Sequence, residues 1–280
     1  MAEITAAQVS RLREMTGAGL MECKQALVAA TGNLEAAIDV LRKKGVAAAA
    51  KKATREAREG VIAQCIQPGA RVGILVEINC ETDFVAKNES FRAFCDDVAR
   101  ALAANPQSDL EAARTAQVAR IGENIKIARA YRMEVQGNGL VAAYIHTGAK
   151  VGVLVEVGAG KETTVAHDEF KQLVKDITLQ IAAAHPIAVA REQVDAAVVA
   201  KEREIARDQI KNKPPQVVEK IVEGKLDKFY QTTCLLEQGF VKKNSEISVK
   251  EHVASVAKQL GDEVTIRGFV RFQVGEAFAA

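Results

Sequence analysis

The sequence predicts an α+β protein: an N-terminal three-helix domain, a core of two repeated α+β subdomains with small antiparallel sheets, and an inserted antiparallel helical hairpin. Three observations predict it. Apolar residues recur at helical spacing up to Gly45. A β-hairpin pattern occurs twice without gaps, at an offset of 79 (Gly60 to Gly139). Two further helical stretches flank Lys213-Pro214-Pro215.

Thr5 and Gln8 have the spacing of a capping box, and Ile4 can staple onto Val9. Val9 and Leu12 carry the apolar face until Thr16-Gly17-Ala18-Gly19 breaks the helix. A second helix starts near Leu20, with Met21, Ala26 and Leu27 on helical spacing, and stops at Thr31-Gly32. Asn33 caps a third, with Leu34, Ala37, Ile38 and Leu41 on one face, and Gly45 is expected to close it. Residues 1–45 thus form a bundle small enough to have a thin core. Residues 46–59 continue as a basic, Ala-rich linker. Across Arg42 to Arg58 a single acid, Glu56, faces seven cations. With no aromatic interleaved, the stretch reads as a solvated helical linker rather than a nucleic-acid patch.

In the repeat, Gly60, Ala63, Ile66, Gly69, Ala70, Val72, Gly73, Leu75, Val76 and Glu77 recur as Gly139, Ala142, Ile145, Gly148, Ala149, Val151, Gly152, Leu154, Val155 and Glu156. At the same offset Phe91 maps to Phe170 and Asp97 to Asp176, in helices ending near Pro106 and Pro186. A two-stranded hairpin alone is marginal, so each copy needs its helix and a third strand. Residues Ile125 to Val135 supply one, and Val264 to Val274 the other. The first core subdomain is therefore 60–138, and the second is 139–186 with 235–280. The segment 187–234 between them is an insertion, with a helix over Glu192 to Gln209 and a returning helix marked by Val218, Val222, Leu226 and Phe229.

Composition excludes several classes. At 280 residues, with 48% hydrophobic and 26% charged side chains, wholesale disorder is excluded. A net charge of +2 argues against a protein built to neutralise phosphates, and 4% aromatics leaves little for base stacking. No run of about 18 apolar residues occurs, so no membrane span is expected. Met1 to Thr16 carries Glu3, Arg11, Arg13 and Glu14, so no leader is expected. Five cysteines without C-x-x-C spacing read as free thiols in a reducing cytoplasm.

No catalytic constellation is found. Phosphate-cradling glycine motifs, the G-x-S-x-G elbow and metal-ligand spacing of His146, His167, His185 and His252 are all missing, which shifts weight towards a binding protein without a cofactor. If the copies share a scaffold, function sits where they differ. Phe84 stands opposite Thr163, and His146 at one hairpin turn stands opposite Gln67. Beside Asp83, Phe84 is either a core plug or an exposed wedge for a partner. Spacing alone favours the plug, because most Phe are buried. A turn His is usually a solvated residue, though a turn tip is also a good probe.

Four segments carry a family resemblance: Thr16-Gly-Ala-Gly-Leu-Met-Glu-Cys-Lys-Gln-Ala-Leu27, Cys80-Glu-Thr-Asp-Phe-Val-Ala-Lys87, Ile121-Gly-Glu-Asn-Ile125 and Phe269-Val-Arg-Phe-Gln-Val-Gly-Glu276. In order and spacing, along nearly the whole chain, they resemble bacterial elongation factor Ts. The resemblance implies a ubiquitin-associated-like N-terminal domain, two related core subdomains and a protruding coiled-coil hairpin. It implies a cytoplasmic guanine-nucleotide exchange factor, with no covalent chemistry, that binds elongation factor Tu with GDP. Such a factor promotes GDP release by displacing elements around the Mg²⁺ and phosphate site, so that GTP can bind. Thr82, Asp83, Phe84 and Val85 are then the loop wedged against the GTPase domain, which replaces the plug reading of Phe84. His146 corresponds to a histidine docking on another domain of the partner, and Arg13, Leu20 and Met21 to partner-facing positions. Ser10 departs from the pattern, since a basic residue can occur there. The helical hairpin is a candidate surface for a homodimer or a 2:2 complex, and no membrane or direct nucleic-acid partner is expected. The alternative is an RNA- or tRNA-binding module resting on Arg42 to Arg58, against which charge and aromatic content weigh.

Overall fold

The computed structural model describes residues 4–210 and 213–276. The parts of the expected segments 1–45, 187–234 and 235–280 beyond those residues lie outside the description. The described residues form two compact units: one comprises residues 4–63, 76–130 and 274–276, the other residues 64–75, 131–210 and 213–273.

The first unit opens with three helices, α1 (Ala6–Thr16), α2 (Leu20–Ala29) and α3 (Leu34–Lys52). The expected capping box closes α1: the Thr5 N–H donates to Gln8 Oε1 at 2.9 Å and the Gln8 N–H to Thr5 Oγ1 at 3.3 Å. Asn33 caps α3 by accepting from the Ala36 N–H. Val9, Leu12, Cys23, Ala26, Leu27, Ala30 and Ala37 form the small core, with Ile4 packed on it. The expected end of α3 at Gly45 is corrected, because the helix runs on to Lys52. Gly45 is buried, and a Cβ there would stand 3.4 Å from Cβ of Ala119 and 3.8 Å from Cγ2 of Thr115. These are ordinary van der Waals separations, so the packing of α3 on α6 (Glu111–Ile121) does not require a glycine here, and Gly costs the helix interior about 0.5–1 kcal/mol relative to Ala. Half of the expected linker is thereby helical, with Lys51 and Lys52 in the last turn, where cations suit the helix dipole.

The expected strands are β1 (Glu59–Ile66), β2 (Val72–Cys80) and β3 (Lys126–Glu134), in the order β1-β2-β3. Between β2 and α6 lie α4 (Asp83–Lys87) and α5 (Glu89–Ala104).

The second unit contains β4 (Gly139–Ile145), β5 (Val151–Ala159), α7 (Glu162–Ala166), α8 (Asp168–Ala184), α9 (Ala196–Asp208), α10 (Pro215–Thr233), α11 (Val249–Leu260) and β6 (Val264–Gln273). Its sheet is antiparallel, β4-β5-β6, with Gly139 opposite Gly158 and Val151 opposite Gln273. The β5–β6 register shifts at Glu156/Val157, and the displaced Arg267 donates to Glu156 Oε1 at 2.9 Å. α8 supplies Phe170, Leu173, Val174, Ile177 and Ile181 to the core over Val153, Val155 and Val157. Residues Ala206, Val222 and Leu226 join α9 to the returning α10, with Arg203–Glu223 at 2.6 Å and Arg207–Glu219 at 2.5 Å along the flank. The base of this excursion is closed by the Ala188–Cys234 bridge, in which the Leu235 N–H donates to the Ala188 carbonyl at 2.9 Å.

The two copies repeat locally. Gly60 and Gly139 have φ of 151° and 149°, Gly69 and Gly148 have 84° and 89°, and Ala70 and Ala149 have 52° and 58°. A Cβ on Gly60 or Gly139 would overlap the carbonyl oxygen of Ile78 or Val157, so only glycine fits where each hairpin opens. The turns close alike, with the Gln67 N–H on the Val72 carbonyl and the His146 N–H on the Val151 carbonyl, both at 2.9 Å. The repeat also extends through α4 and α7, whose bounds differ by the same offset.

Candidate functional site

α4 positions the first group of expected site residues, and it is a single helical turn where the resemblance implies a loop. A helix this short is marginal by itself, and side chains around it hold it. Thr82 is the N-cap, its Oγ1 accepting from the Val85 N–H at 3.4 Å. The same hydroxyl donates to Glu123 Oε1 at 2.6 Å. At the other end, Arg92 Nε donates to the Ala86 carbonyl at 3.1 Å. Ala86 is the buried residue of α4. Phe84, two positions earlier and about 200° away around the helix, faces out and is 80% exposed. The plug reading suggested by residue statistics is thus overturned: one turn of helix cannot bury both Ala86 and Phe84 on one face.

Asp83 occupies the first turn, where the helix dipole favours an anion. Lys87 Nζ lies 2.7 Å from Asp83 Oδ2, and this hydrogen bond holds the carboxyl below its ordinary value. Val85 is half-buried. The arrangement is an exposed aromatic ring on an anchored helical turn, beside a carboxylate that stays ionised.

Arg13, Leu20 and Met21 lie on α1 and at the start of α2, all exposed, Leu20 by 56% and Met21 by 62%. Gly17, in the left-handed region at φ 66°, turns the chain between them. Two further exposed apolar residues, Met15 and Val46, line a groove of about 650 Å³ with Arg42 and Arg120. Neither carries a sequence signal: Met15 lies at the end of α1 beyond the apolar face of Val9 and Leu12, and Val46 falls in the stretch expected as a linker.

In the second unit, His146 stands exposed at the β4–β5 turn, as its place in the repeat predicts. Tyr144 Oη lies 2.9 Å from His146 Nδ1. Both residues line a cavity of about 510 Å³ with His185, Lys242 and Arg271.

Among the described residues, no group of three or more His, Cys, Asp or Glu could hold a metal ion, and no helix is long and apolar enough to cross a membrane. Cys80 and Cys95 are buried, and burial pushes the Cys95 thiol well above its ordinary value, so it is a poor nucleophile.

Comparison with known proteins gives two family matches. The elongation factor TS family model matches residues 81–276, and the UBA/TS-N domain model matches residues 4–41. The chain is 46% identical over 285 residues to elongation factor Ts of Symbiobacterium thermophilum, covering 99% of this chain and 93% of that protein. It is 43% identical to elongation factor Ts of Nautilia profundicola and 45% identical to that of Clostridioides difficile, each over 99% of this chain and 94% of the relative. The chain belongs to the elongation factor Ts family, and its N-terminal helices form a UBA/TS-N domain.

Proposed function

We propose that this member of the elongation factor Ts family binds elongation factor Tu carrying GDP and promotes release of the nucleotide, after which GTP binds. The observation that carries the reading is Phe84, 80% exposed on a helix clamped at both ends. A GTPase holds its nucleotide through backbone amides, a lysine and Mg²⁺. A factor that binds the Mg²⁺-depleted form better than the loaded form weakens the nucleotide by the same free energy with which the nucleotide weakens the factor. An inserted ring that fits only a displaced helix of the partner supplies that difference. Thr82, Asp83, Phe84 and Val85 make this contact near the Mg²⁺ and phosphate site. His146 docks on another domain of the partner, and Arg13, Leu20 and Met21 make a third contact. No covalent step is involved, and the work belongs to the cytoplasm.

In this reading residues 1–45 are a partner-binding domain, 46–59 link it to the core, and 60–138 and 139–186 with 235–280 are the two core subdomains. The inserted segment 187–234 is a coiled-coil hairpin available for a homodimer or a 2:2 complex. The test is release of labelled GDP from purified elongation factor Tu, chased with excess unlabelled GDP, with and without this protein. Acceleration that saturates with factor concentration is expected. An unchanged release rate overturns the proposal.

A further inference from the structure

Glu123 lies between α6 and β3 and reaches across to the start of α4. Its Oε2 accepts from the backbone N–H groups of Glu81 and Thr82, both at 3.0 Å, while Oε1 accepts from Thr82 Oγ1 at 2.6 Å. Glu81 returns the contact: its Oε1 accepts from the Asn124 N–H at 2.6 Å. Each carboxylate therefore satisfies a backbone amide beside the other. Asn124, itself buried, donates from Nδ2 to the Arg55 carbonyl at 2.7 Å, and so ties the chain after α3 to the same knot.

α4 depends on this knot. It is a five-residue turn that opens with the Ala86 N–H on the Thr82 carbonyl at 3.2 Å and closes with the Asn88 N–H on the Val85 carbonyl at 2.9 Å. So short a turn does not persist unanchored. Glu123 meets the donors at its N-terminal edge and holds the Thr82 hydroxyl where it caps Val85.

The second copy is an internal control. There Asp262 Oδ2 accepts from the Lys161 N–H at 2.9 Å and from Thr164 Oγ1 at 2.5 Å, at the start of α7. A carboxylate clamps the equivalent helix in both copies, but only the helix held by Glu123 presents an exposed aromatic ring, since Thr163 stands where α4 has Phe84.

We propose that Glu123 is a positioning residue for nucleotide release, resting on the wedge reading above: it fixes α4 so that Phe84 leaves the protein at one angle, and it acts through Phe84. Small misplacements of a group that must meet a partner in one geometry are expensive in rate.

The test uses the full chain with Glu123→Gln, Glu123→Asp, Asp262→Asn, Phe84→Ala and the double variant Glu123→Gln/Phe84→Ala. GDP release from elongation factor Tu at saturating factor, thermal unfolding, and amide hydrogen exchange at Thr82 and Val85 are measured. Glu123→Gln is expected to lower the saturating rate about tenfold and to speed exchange at both amides, with little change in unfolding midpoint. Glu123→Asp, which keeps the charge but shortens the reach, falls between it and the unmodified protein. Asp262→Asn leaves the release rate unchanged. The double variant is no slower than Phe84→Ala alone, because Glu123 acts through that ring. Two results overturn the positioning role while leaving the wedge intact: an unchanged rate for Glu123→Gln when Phe84→Ala is slow, or additive losses in the double variant. If Glu123→Gln fails to fold, Glu123→Asp decides, and an unchanged rate with accelerated exchange at Thr82 overturns the proposal. Normal release by Phe84→Ala overturns the wedge reading itself and this inference with it.

Discussion

Replacing Phe84 by alanine tests the proposed partner contact separately from the stability of the fold. A Phe side chain offers about 150–250 Å², and Phe84 is 80% exposed. The fold therefore covers only about 40 Å² of it, worth at most about 1 kcal/mol at 25 cal/mol per Å². Alanine, the better helix former, returns about 0.5 kcal/mol of that within α4. The net loss of stability is about 0.5 kcal/mol, against about 3–5 kcal/mol for truncating a buried Phe. If the exposed remainder is buried in a partner, about 160 Å² is at stake, or about 4 kcal/mol. That corresponds to weakening of the complex with nucleotide-free elongation factor Tu by about a hundredfold to a thousandfold. Denaturant unfolding reads the first quantity, and titration calorimetry with stopped-flow GDP release reads the second. A loss of more than about 3 kcal/mol of stability would refute the burial argument. Unchanged stability together with unchanged release would refute the wedge.

Three further outcomes follow from the same structure. Replacing residues 202–226 by a short Gly/Ser turn keeps Val199, Phe229 and Tyr230 on the cluster at the base of the hairpin, and cooperative unfolding is expected to survive because loop closure costs rise slowly with length; loss of a cooperative transition would show that the hairpin is integral to the fold. His252 stacks on Phe240 with ring centroids 4.2 Å apart, and burial holds its imidazole below the ordinary value, Asp176 opposing and Lys243 and Lys242 adding to the effect. The folded chain thus binds fewer protons at this site than the unfolded one, so the contribution is fully present above about pH 6.5 and is lost as pH falls through the depressed folded value. Urea midpoints at about pH 7.5 and about pH 5.5 are expected to differ less in His252→Gln than in the unmodified protein, and an equal difference would remove this histidine from the acid response. Gly139→Ala places a Cβ against the Val157 carbonyl at φ 149°, and a loss of about 3 kcal/mol or more is expected from denaturant unfolding; a near-neutral change would mean that the hairpin opening can shift.

Local signals determined most of the framework. The Thr5–Gln8 capping box, Asn33 as a cap and the paired glycines of the hairpins are short-range chemistry, and each stands in the structure as its sequence predicts. The repeat also located both third strands, β3 and β6, because a hairpin needs a further partner to bury its face. The capping box of Ser248 and Glu251, which starts α11, is the same kind of short-range signal. α6 carried no such mark: its N-cap is Leu110, without a side-chain cap.

Only the tertiary structure decided three matters. Gly45 resembles a helix stop in sequence, yet α3 passes through it and buries that position against α6, a neighbour distant along the chain. The family resemblance already faced Phe84 outward, but the cause is visible only in the fold: Ala86 is buried, and one helical turn has a single inward face. Glu123 lies in one of the segments that carry the family resemblance, but what it touches is not written there: the amides of Glu81 and Thr82, distant along the chain, come within hydrogen-bonding reach only in the fold. Periodicity and capping are written within a few residues of one another and can be read from the chain. Close approach, exposure and the pairing of a carboxylate with remote amides are properties of packing, and they exist only once the elements have met.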